Sequence, residues 1–463
     1  MKAPGDILLI ACYELGHQPL SVAWPAAVLA ERGYAPAVLD VSVEPFDPEK
    51  AARARLVAIS VPMHTALRVG VTAAGRVRAV NPGCHICFFG LYAHLNAGHL
   101  LAHGVDSVIG GEPEPPLADL ADALARGQEP RVPGVATARA PAPPHLARHP
   151  LPRPSRASLP GLKKYARLER AGRREVAGYV EASRGCLHLC RHCPIPPVYG
   201  GRFFAVPRDT VQADIRQQVA AGATHITFGD PDFLNGPGQA LAVARGLHAE
   251  FPGITFDFTA KVEHLLRHRR LLPELARLGA IFVVSAVESL SDTVLGHLAK
   301  GHTRADVGEA LAAVREAGIA FHPTWVAFTP WTALEDYRDM LDFVEREALV
   351  DHVDPVQYSL RLLVPPGSLL LESPALQPFL EGLVQEEFSY RWAHPDPRME
   401  ALHTAVAAVA AQAAEQGEDP AITFDRVRAH WAAAAGLTPG PAVAPGLPRD
   451  RARPPRMTEP WFC

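Results

Sequence analysis

Short apolar runs alternate with helical patterns along the first 125 or so residues of the chain. Runs such as Ile7–Ile10, Leu56–Val61 and His85–Phe89 have the length of strands, and Pro25–Arg32 and Thr72–Ala79 between them have helical spacing. Strands that alternate with helices in this way predict βαβ units and a parallel sheet. Because such sheets bind ligands at the carboxyl ends of their strands, this region is expected to carry a ligand crevice or a docking surface.

A second alternating series begins near Gly178, after a stretch that is dense in Pro, Ala and Arg and reads as a linker. Its further strands are predicted at His225–Phe228, Thr255–Thr259, Ile281–Ser285, Phe321–Phe328 and Val356–Leu363. Six or so βα units predict a barrel or partial barrel, whose chemistry lies at the C-terminal ends of its strands. After Pro365-Pro366-Gly367 the pattern becomes helical, and a Pro/Gly-rich stretch follows.

The predicted fold class is therefore α/β, and a chain of 463 residues is expected to form more than one domain. We divide it into a doubly wound parallel-sheet domain, a linker, a partial (β/α)6 barrel, a helical extension and a Pro-rich tail, at residues 1–130, 131–177, 178–375, 376–435 and 436–463 respectively.

The composition argues against several classes of protein but does not indicate a specific function. Lys and Arg number 45 against 49 Asp and Glu, and the net charge of −4 comes without a basic block, which argues against a nucleic-acid binder. The chain runs from Met1 straight into a strand with no leader pattern, and no apolar stretch reaches transmembrane length. Seven cysteines, mostly unpaired by spacing, predict a reducing compartment, the cytoplasm, and no disulfide framework.

The most informative motif is Cys186-Leu-His-Leu-Cys190-Arg-His-Cys193, in the loop after the first strand of the second series. A [4Fe–4S] cluster is fully ligated by four thiolates, so three cysteines hold three irons and leave the fourth iron open. That arrangement can bind S-adenosylmethionine (SAM) and split it into a radical. The alternative is a zinc site completed by His188 or His192, although no second Cys/His pair follows at the spacing of a zinc finger.

Over roughly residues 178–375 the chain resembles the radical SAM superfamily. Besides the cysteine motif, Gly229-Asp230-Pro231-Asp232-Phe233 is similar to the segment near the SAM amino group, and Ala286-Val287-Glu288-Ser289 to one that approaches SAM. The resemblance implies that Asp230, Asp232, Glu288 and Ser289 contact SAM; helix capping is the alternative for the two aspartates. It also implies a small-molecule or peptide substrate and an electron donor such as flavodoxin or ferredoxin.

The N-terminal region resembles the cobalamin-binding domain that precedes many radical SAM cores. It lacks the Asp-x-His-x-x-Gly pattern that supplies an axial ligand, so cobalamin is implied as a cofactor but not decided. His64, at a predicted strand end, is a weak candidate for contact with a corrinoid, and a hydrogen-bonded loop histidine is the alternative.

Nearly the whole chain also resembles the radical SAM family with a C-terminal Cys-Sec-Ala-Glu-Pro or Cys-Cys-Ala-Glu-Pro (CUAEP/CCAEP) tail. The similar segments include Tyr13–Pro19, Val61–Leu67, Lys261–Leu265 and Arg361–Ser368. The sequence ends at Cys463, where the second Cys or selenocysteine would follow, which suggests a selenocysteine codon read as a stop. The alternative is a natural terminus or a lineage that lost the tail. The resemblance implies that Cys463 belongs to a redox tail.

The predicted function is reductive SAM cleavage that starts radical chemistry on an unknown substrate. The motif does not fix which C–S bond breaks, so a 5′-deoxyadenosyl and a 3-amino-3-carboxypropyl product both stay open. The alternatives are cobalamin-dependent methyl transfer, and transfer of the aminocarboxypropyl group to a soft acceptor such as trivalent arsenic. The non-enzyme alternative is a zinc- or cluster-binding structural protein.

Overall fold

The computed structural model of the chain describes residues 1–448 and 450–459. The N-terminal region forms a six-stranded sheet in the order β2-β1-β3-β4-β5-β6, in which β1 to β5 are parallel and β6 is antiparallel to β5. Its strands are β1 Ile7–Ala11, β2 Ala37–Asp40, β3 Leu56–Ser60, β4 His85–Phe89, β5 Ser107–Ile109 and β6 Val135–Ala136. Its helices are α1 Leu20–Glu31, α2 Pro48–Arg53, α3 His64–Val80, α4 Leu91–Leu95, α5 Ala97–Ala102 and α6 Glu114–Ala125.

The sequence explains why this sheet lies inside its domain. All five residues of β1 and of β3 are buried, as expected for parallel strands that helices cover on both faces. The strand order reverses between β1 and β3, and in open parallel sheets ligands bind at such a switch point. The crevice that the sequence predicts therefore lies beside the ends of these two strands.

The second sheet has seven strands in the order β14-β13-β12-β11-β8-β7-β17. Its strands, with the short β9 and β10, are β7 Arg167–Arg170, β8 Arg173–Val180, β9 Ser183–Gly185, β10 Phe203–Ala205, β11 His225–Phe228, β12 Thr255–Thr259, β13 Ala280–Glu288, β14 Ala320–Trp325 and β17 Arg456–Met457. The helices of this region are α7 Ile195–Tyr199, α8 Arg208–Ala220, α9 Pro237–Glu250, α10 Val262–Arg267, α11 Leu272–Arg277, α12 Asp292–Leu298, α13 Arg304–Glu316 and α14 Leu334–Arg346.

Strands β8 and β11 to β14 are parallel and curl into a partial barrel, which confirms the predicted α/β fold class. The sixth predicted strand does not form as such: a 3₁₀ helix spans Pro355–Ser359, and a single bridge joins Phe328 to Arg361. Proline at the start of that helix supplies no N–H for a strand ladder, which fits a turn better than a strand.

The C-terminal region departs from the predicted helical extension at one place. A hairpin of β15 Leu380–Val384 and β16 Ser389–Trp392 precedes the two long helices α15 Pro397–Gln416 and α16 Pro420–Ala434. The chain then returns to the barrel, where β17 pairs antiparallel with β7. No helix among the described residues is both long and apolar enough to cross a bilayer.

The segment that the sequence predicts as a linker is in part an ordered connection. Residues 137–161 have no helix or strand, yet Trp24 donates to the carbonyl of Pro152 at 3.0 Å. Within the same segment, buried Arg156 donates to Asp214, to Gln18 and to the carbonyl of Tyr179. The two sheets are thus fastened to one another through this connection, and the predicted linker also contains β7 and the start of β8.

Candidate functional site

The cysteine loop lies between β9 and α7, beyond the carboxyl end of β8. Cys186 and Cys190 are 9% and 7% exposed. Burial and the charges of the other two cysteines raise the pKa of the Cys193 thiol to about 12. A bound metal would replace the proton on this sulfur, because the thiolate is the ligand form.

The spacing of the three sulfurs separates a cluster from a single ion. Among the described residues, two groups of His, Cys, Asp or Glu bring three ligand atoms within 4.8 Å of one another, and the three cysteines are not among them. Thiolates on one zinc ion, each about 2.3 Å from the metal, would lie roughly 3.8 Å apart. Wider spacing suits sulfurs that each bind a different iron of one cluster.

Both histidines of the loop are turned to partners outside it. His188 Nε2 lies 3.2 Å from His264 Nε2, and His192 Nε2 lies 3.3 Å from the Oε1 atom of Glu288. The polar neighbour of Cys186 is instead Asn235, whose amide nitrogen lies 3.6 Å from its sulfur. The sequence alternative of a histidine-completed zinc site therefore has both of its candidate ligands engaged elsewhere.

Glu288 ends β13 in a left-handed conformation (φ 67°), next to a register shift against β14. Its Oε1 also lies 3.2 Å from the Nζ atom of buried Lys300. Burial opposes ionisation, but Lys300 and His192 outweigh it and lower the pKa of Glu288 to about 2. The adjacent Ser289 hydroxyl accepts from the N–H of Ser291 and shapes the turn before α12.

The two predicted aspartates use their oxygens on backbone groups. Asp230 accepts from the N–H of Ala182 at 2.9 Å and from the Ser183 hydroxyl. Asp232 caps the 3₁₀ helix that follows it, accepting from Leu234 N at 2.9 Å, and it also accepts from Lys261 N at 3.2 Å. These carboxylates therefore fix the ends of the strands that surround the cysteine loop.

Arg184, two residues before the first cysteine, joins the barrel to the N-terminal domain. Its guanidinium donates to Glu112 at 2.8 Å and to both oxygens of Glu114 at 2.8 and 3.0 Å, and it stacks over Trp24. Glu112 also accepts from Tyr199 in α7, on the other side of the loop. The cysteine loop is thus clamped at both ends by the Gly-Glu-Pro-Glu segment after β5.

A cavity of about 370 Å³ lies between the strand ends of the N-terminal sheet and the mouth of the barrel; we call it the interdomain cavity. Its walls include Ser60 and Met63 from one side and Glu181 and Gly229 from the other. Burial and nearby carboxylates raise the pKa of Glu181 to about 8 despite Arg184. Burial likewise raises the pKa of Glu14, in the same wall, to about 7.

His64 lines a second, larger cavity of about 970 Å³, which shares Pro62 and Met63 with the first. Its Nε2 lies 2.7 Å from the carbonyl oxygen of Glu387, and burial lowers its pKa. The histidine therefore joins α3 to the hairpin of β15 and β16 and does not line the interdomain cavity.

The C-terminal tail reaches the junction between the N-terminal domain and the barrel. Because β17 is antiparallel to β7, and β7 to β8, β17 runs in the direction of β8, toward the face that carries the cysteine loop. Glu459 Oε2 then lies 3.0 Å from His17 Nε2, and His17 stacks on Tyr179. Cys463 itself lies outside the described residues.

Several of these residues carry no signal that sequence reasoning can use. Lys300 follows α12 without a motif, and His264 looks like any helical histidine until α10 turns it toward the loop. Arg184 stands beside the cysteine motif, which is a hint, but its partners are about 70 residues away in the chain.

The comparison with protein families identifies one domain. Residues 180–344 match the family described as the Radical SAM superfamily. The chain therefore contains a radical SAM domain, and the predicted enzyme class is confirmed. No curated protein matches the chain in sequence.

Solved structures share the fold over most of the chain. TsrM from Kitasatospora setae, a radical S-adenosylmethionine methyltransferase with cobalamin and a [4Fe–4S] cluster bound, has 17% identity and a TM-score of 0.59, over 75% of this chain and 70% of TsrM. OxsB, a cobalamin-dependent S-adenosylmethionine radical enzyme with aqua-cobalamin and S-adenosylmethionine bound, has 15% identity and a TM-score of 0.67, over 89% of this chain and 67% of OxsB. At these identities the likeness establishes the fold. The resemblance to the CUAEP/CCAEP family stays a prediction.

Proposed function

We propose that this protein is a cobalamin-binding radical SAM enzyme with its [4Fe–4S] cluster on Cys186, Cys190 and Cys193. The observation that carries the proposal is the spacing of the three sulfurs, which are too far apart for one ion, together with the engagement of His188 and His192 elsewhere. Three ligands leave one iron of the cluster open for SAM. The cluster supplies the electron that breaks a C–S bond of SAM, and the barrel keeps water away from the radical.

We assign SAM to the space between the cysteine loop and the end of β13. Glu288 takes Lys300 and His192 on its Oε1, and we assign its Oε2 to a ribose hydroxyl or to the SAM ammonium group. Its low pKa keeps the carboxylate ionised throughout the neutral range. Ser289 is the second predicted contact. Asp230 and Asp232 would act on SAM through the strand ends that they hold.

We assign the corrinoid to the interdomain cavity. The hydroxyl of Ser60, at the end of β3, is buried there without a hydrogen-bond partner, which fits a polar ligand at the switch point of the sheet. The two cavities meet at Pro62 and Met63, so a large ligand can extend from one to the other. When bound, cobalamin would supply a cobalt centre that carries a methyl group. The cobalamin bound in the solved structures of TsrM and OxsB supports the same assignment.

We further propose that Cys463 belongs to a redox tail, and the CUAEP/CCAEP resemblance supports this role. Cys463 follows Glu459 by four positions, and β17 runs toward the face that carries the cysteine loop. The resemblance implies a thiol tail that would bind a soft acceptor such as trivalent arsenic, with aminocarboxypropyl transfer as the second candidate reaction. Reading the codon after Cys463 tests the selenocysteine hypothesis: a UAA or UAG codon there would contradict it.

Anaerobic reconstitution with iron and sulfide tests the central claim. We expect a brown protein that absorbs near 400 nm, a general property of iron–sulfur chromophores, and SAM cleavage once a reductant such as flavodoxin or ferredoxin is added. Product analysis then distinguishes 5′-deoxyadenosine from 5′-methylthioadenosine, and hydroxocobalamin should add its own visible absorbance. A colourless protein with one zinc per chain would overturn the proposal. Because three reduced thiols are required, we propose the cytoplasm as its location.

A further inference from the structure

A group of His188, Asp232 and His264 lies at the barrel mouth, next to the cysteine loop but distinct from its thiols. One ligand atom from each of the three residues lies within 4.8 Å of the others. The second such group among the described residues is Glu112, Glu114 and His149. There the Arg184 guanidinium already provides the positive charge, and two of the three residues bind it directly. In the described part of the chain, no Lys or Arg forms an ion pair with Asp232 of the first group, and the neighbouring Lys261 pairs with Glu263.

The distances in the first group approach those of ligands on one metal ion. His188 Nε2 lies 3.2 Å from His264 Nε2 and 3.9 Å from Asp232 Oδ2. Nitrogen and oxygen atoms that are each 2.0–2.1 Å from zinc lie about 3.4 Å apart in a tetrahedral site. The two measured separations lie on either side of that value, and all three ligand atoms lie within 4.8 Å of one another.

Burial leaves the group short of hydrogen-bond partners. The side chains of Asp232 and His264 are 0% and 4% exposed, and that of His188 is 14% exposed. His264 Nδ1 is 2.8 Å from Asp232 Oδ2, but the contact lacks hydrogen-bond geometry and leaves this buried nitrogen without a partner. A buried polar atom without a partner costs free energy, so the protein neighbours alone do not satisfy this group.

Neighbouring residues contact Asp232 and His188 from outside the group. Asp232 is fixed by the N–H groups of Leu234 and Lys261. His188 has its second nitrogen, Nδ1, 3.7 Å from Glu263 Oε2, so a carboxylate stands behind the imidazole. At 3.7 Å this contact is an ion-pair separation and not a hydrogen bond, and Glu263 also pairs with Arg267 and Lys261.

We propose that His188, Asp232 and His264 bind one divalent first-row transition metal ion, Zn²⁺ or Fe²⁺. Two imidazoles and one carboxylate are a common ligand set for both metals, and three protein ligands leave at least one position for water or substrate. Asp232 contributes the negative charge within the group, while Glu263 behind it is balanced by Lys261 and Arg267. The site shares a loop with the proposed cluster but none of its ligands, so the two proposals can fail separately.

Zinc is the probe for the test, added to the full-length protein after its cluster has been reconstituted. After desalting, we expect one zinc per chain by mass spectrometry, with the iron and sulfide content unchanged. X-ray absorption at the zinc edge should show nitrogen and oxygen ligands at 2.0–2.1 Å and no sulfur near 2.3 Å. Zinc bound through sulfur, or no zinc retained, would overturn the site.

The variants His264→Gln and His188→Gln should each weaken zinc binding at least tenfold while the iron content stays the same. His268→Gln is the matched control, since His268 follows the same helix but does not belong to the group. Equal zinc affinity in His264→Gln, His188→Gln and the control contradicts the proposal. Loss of iron in all samples, including the wild type, would instead count against the proposed cluster.

Discussion

The mouth of the barrel and the interdomain cavity lie on either side of Arg184, and both bury carboxylates. The two regions differ in the pKa of these carboxylates. At the mouth, Lys300 pairs with Glu288 and lowers its pKa to about 2. In the cavity, Arg184 is occupied by Glu112 and Glu114, and the pKa of Glu181 rises to about 8. The mouth thus keeps fixed charges for a charged ligand, whereas the cavity holds one carboxyl, Glu181, that is largely neutral near pH 7.

This difference fits the two proposed cofactors. SAM carries a sulfonium, an ammonium and a carboxylate, and it needs compensating charges at fixed positions. A corrinoid presents a broad surface, and most pockets for such cofactors are apolar with few polar contacts. Ser60, Glu14 and Glu181 are among the polar groups in the wall of the cavity, and Glu114 and Arg184 stand paired with each other in the same wall.

The largest expected effect is the loss of the cluster. Replacing Cys186, Cys190 or Cys193 by Ala should abolish the absorbance near 400 nm and all SAM cleavage, because no thiol replaces the missing ligand. Cys87→Ala is the control: Cys87 is fully buried in β4, where burial raises its pKa to about 12. Iron content is the measurement, and full iron in a Cys190→Ala protein would contradict the assignment.

We expect the second largest effect from removing the charge pair of Lys300 and Glu288 at the mouth of the barrel. Lys300→Met leaves Glu288 buried without its cation, so the carboxylate loses the partner that holds it in place and ionised. We expect SAM binding to weaken by about 10- to 100-fold, which is roughly 1.4–2.8 kcal/mol. Equilibrium binding of SAM to the reconstituted enzyme measures this effect. Glu288→Gln should weaken binding as well, and the double variant should be less than additive. Strict additivity would show that the pair does not act as a unit.

Breaking the clamp between the two regions should destabilise the fold. Arg184→Ala leaves Glu112 and Glu114 buried without their cation, with an expected loss of about 3–5 kcal/mol in the free energy of unfolding. Arg184→Lys should lose less, because it keeps the charge but not the paired hydrogen bonds. Chemical denaturation measures both variants, and an Arg184→Ala protein as stable as the wild type would contradict the role of the clamp.

The smallest expected effect is a pH dependence that belongs to the cavity alone. The pKa of Glu181 is raised in the folded protein to about 8, so unfolding releases its proton and stability falls as the pH rises from about 4.5 toward 8. Glu181→Gln should remove this loss and raise the Tm at pH 8 by about 2 °C relative to the wild type, with little change at pH 5. Thermal unfolding at the two pH values checks it, and a Tm difference that is equal at both would be the contrary result.

The local hydrophobic pattern predicted the strands with strong signals. It did not predict the elements whose structure depends on long-range contacts. The buried runs at β1, β3 and β4, and the strands β11, β12 and β14, follow from hydrophobic patterning. The run at Val356–Leu363 has the same apolar composition, but only one bridge forms there. The sequence analysis also did not predict the hairpin of β15 and β16, because the residues of β15 are half-buried or exposed and their hydrophobic pattern is weak.

The sequence by itself determined the three cysteines, their loop after a strand and the parallel character of both sheets, because spacing and periodicity are local properties. Only the tertiary structure decided which charges meet. Lys300 reaches Glu288 across a helix, Arg184 reaches Glu112 from 72 residues away, and His264 meets His188 from 76 residues away. Burial then sets whether each of these groups keeps its charge, and burial depends on the packing of the whole molecule.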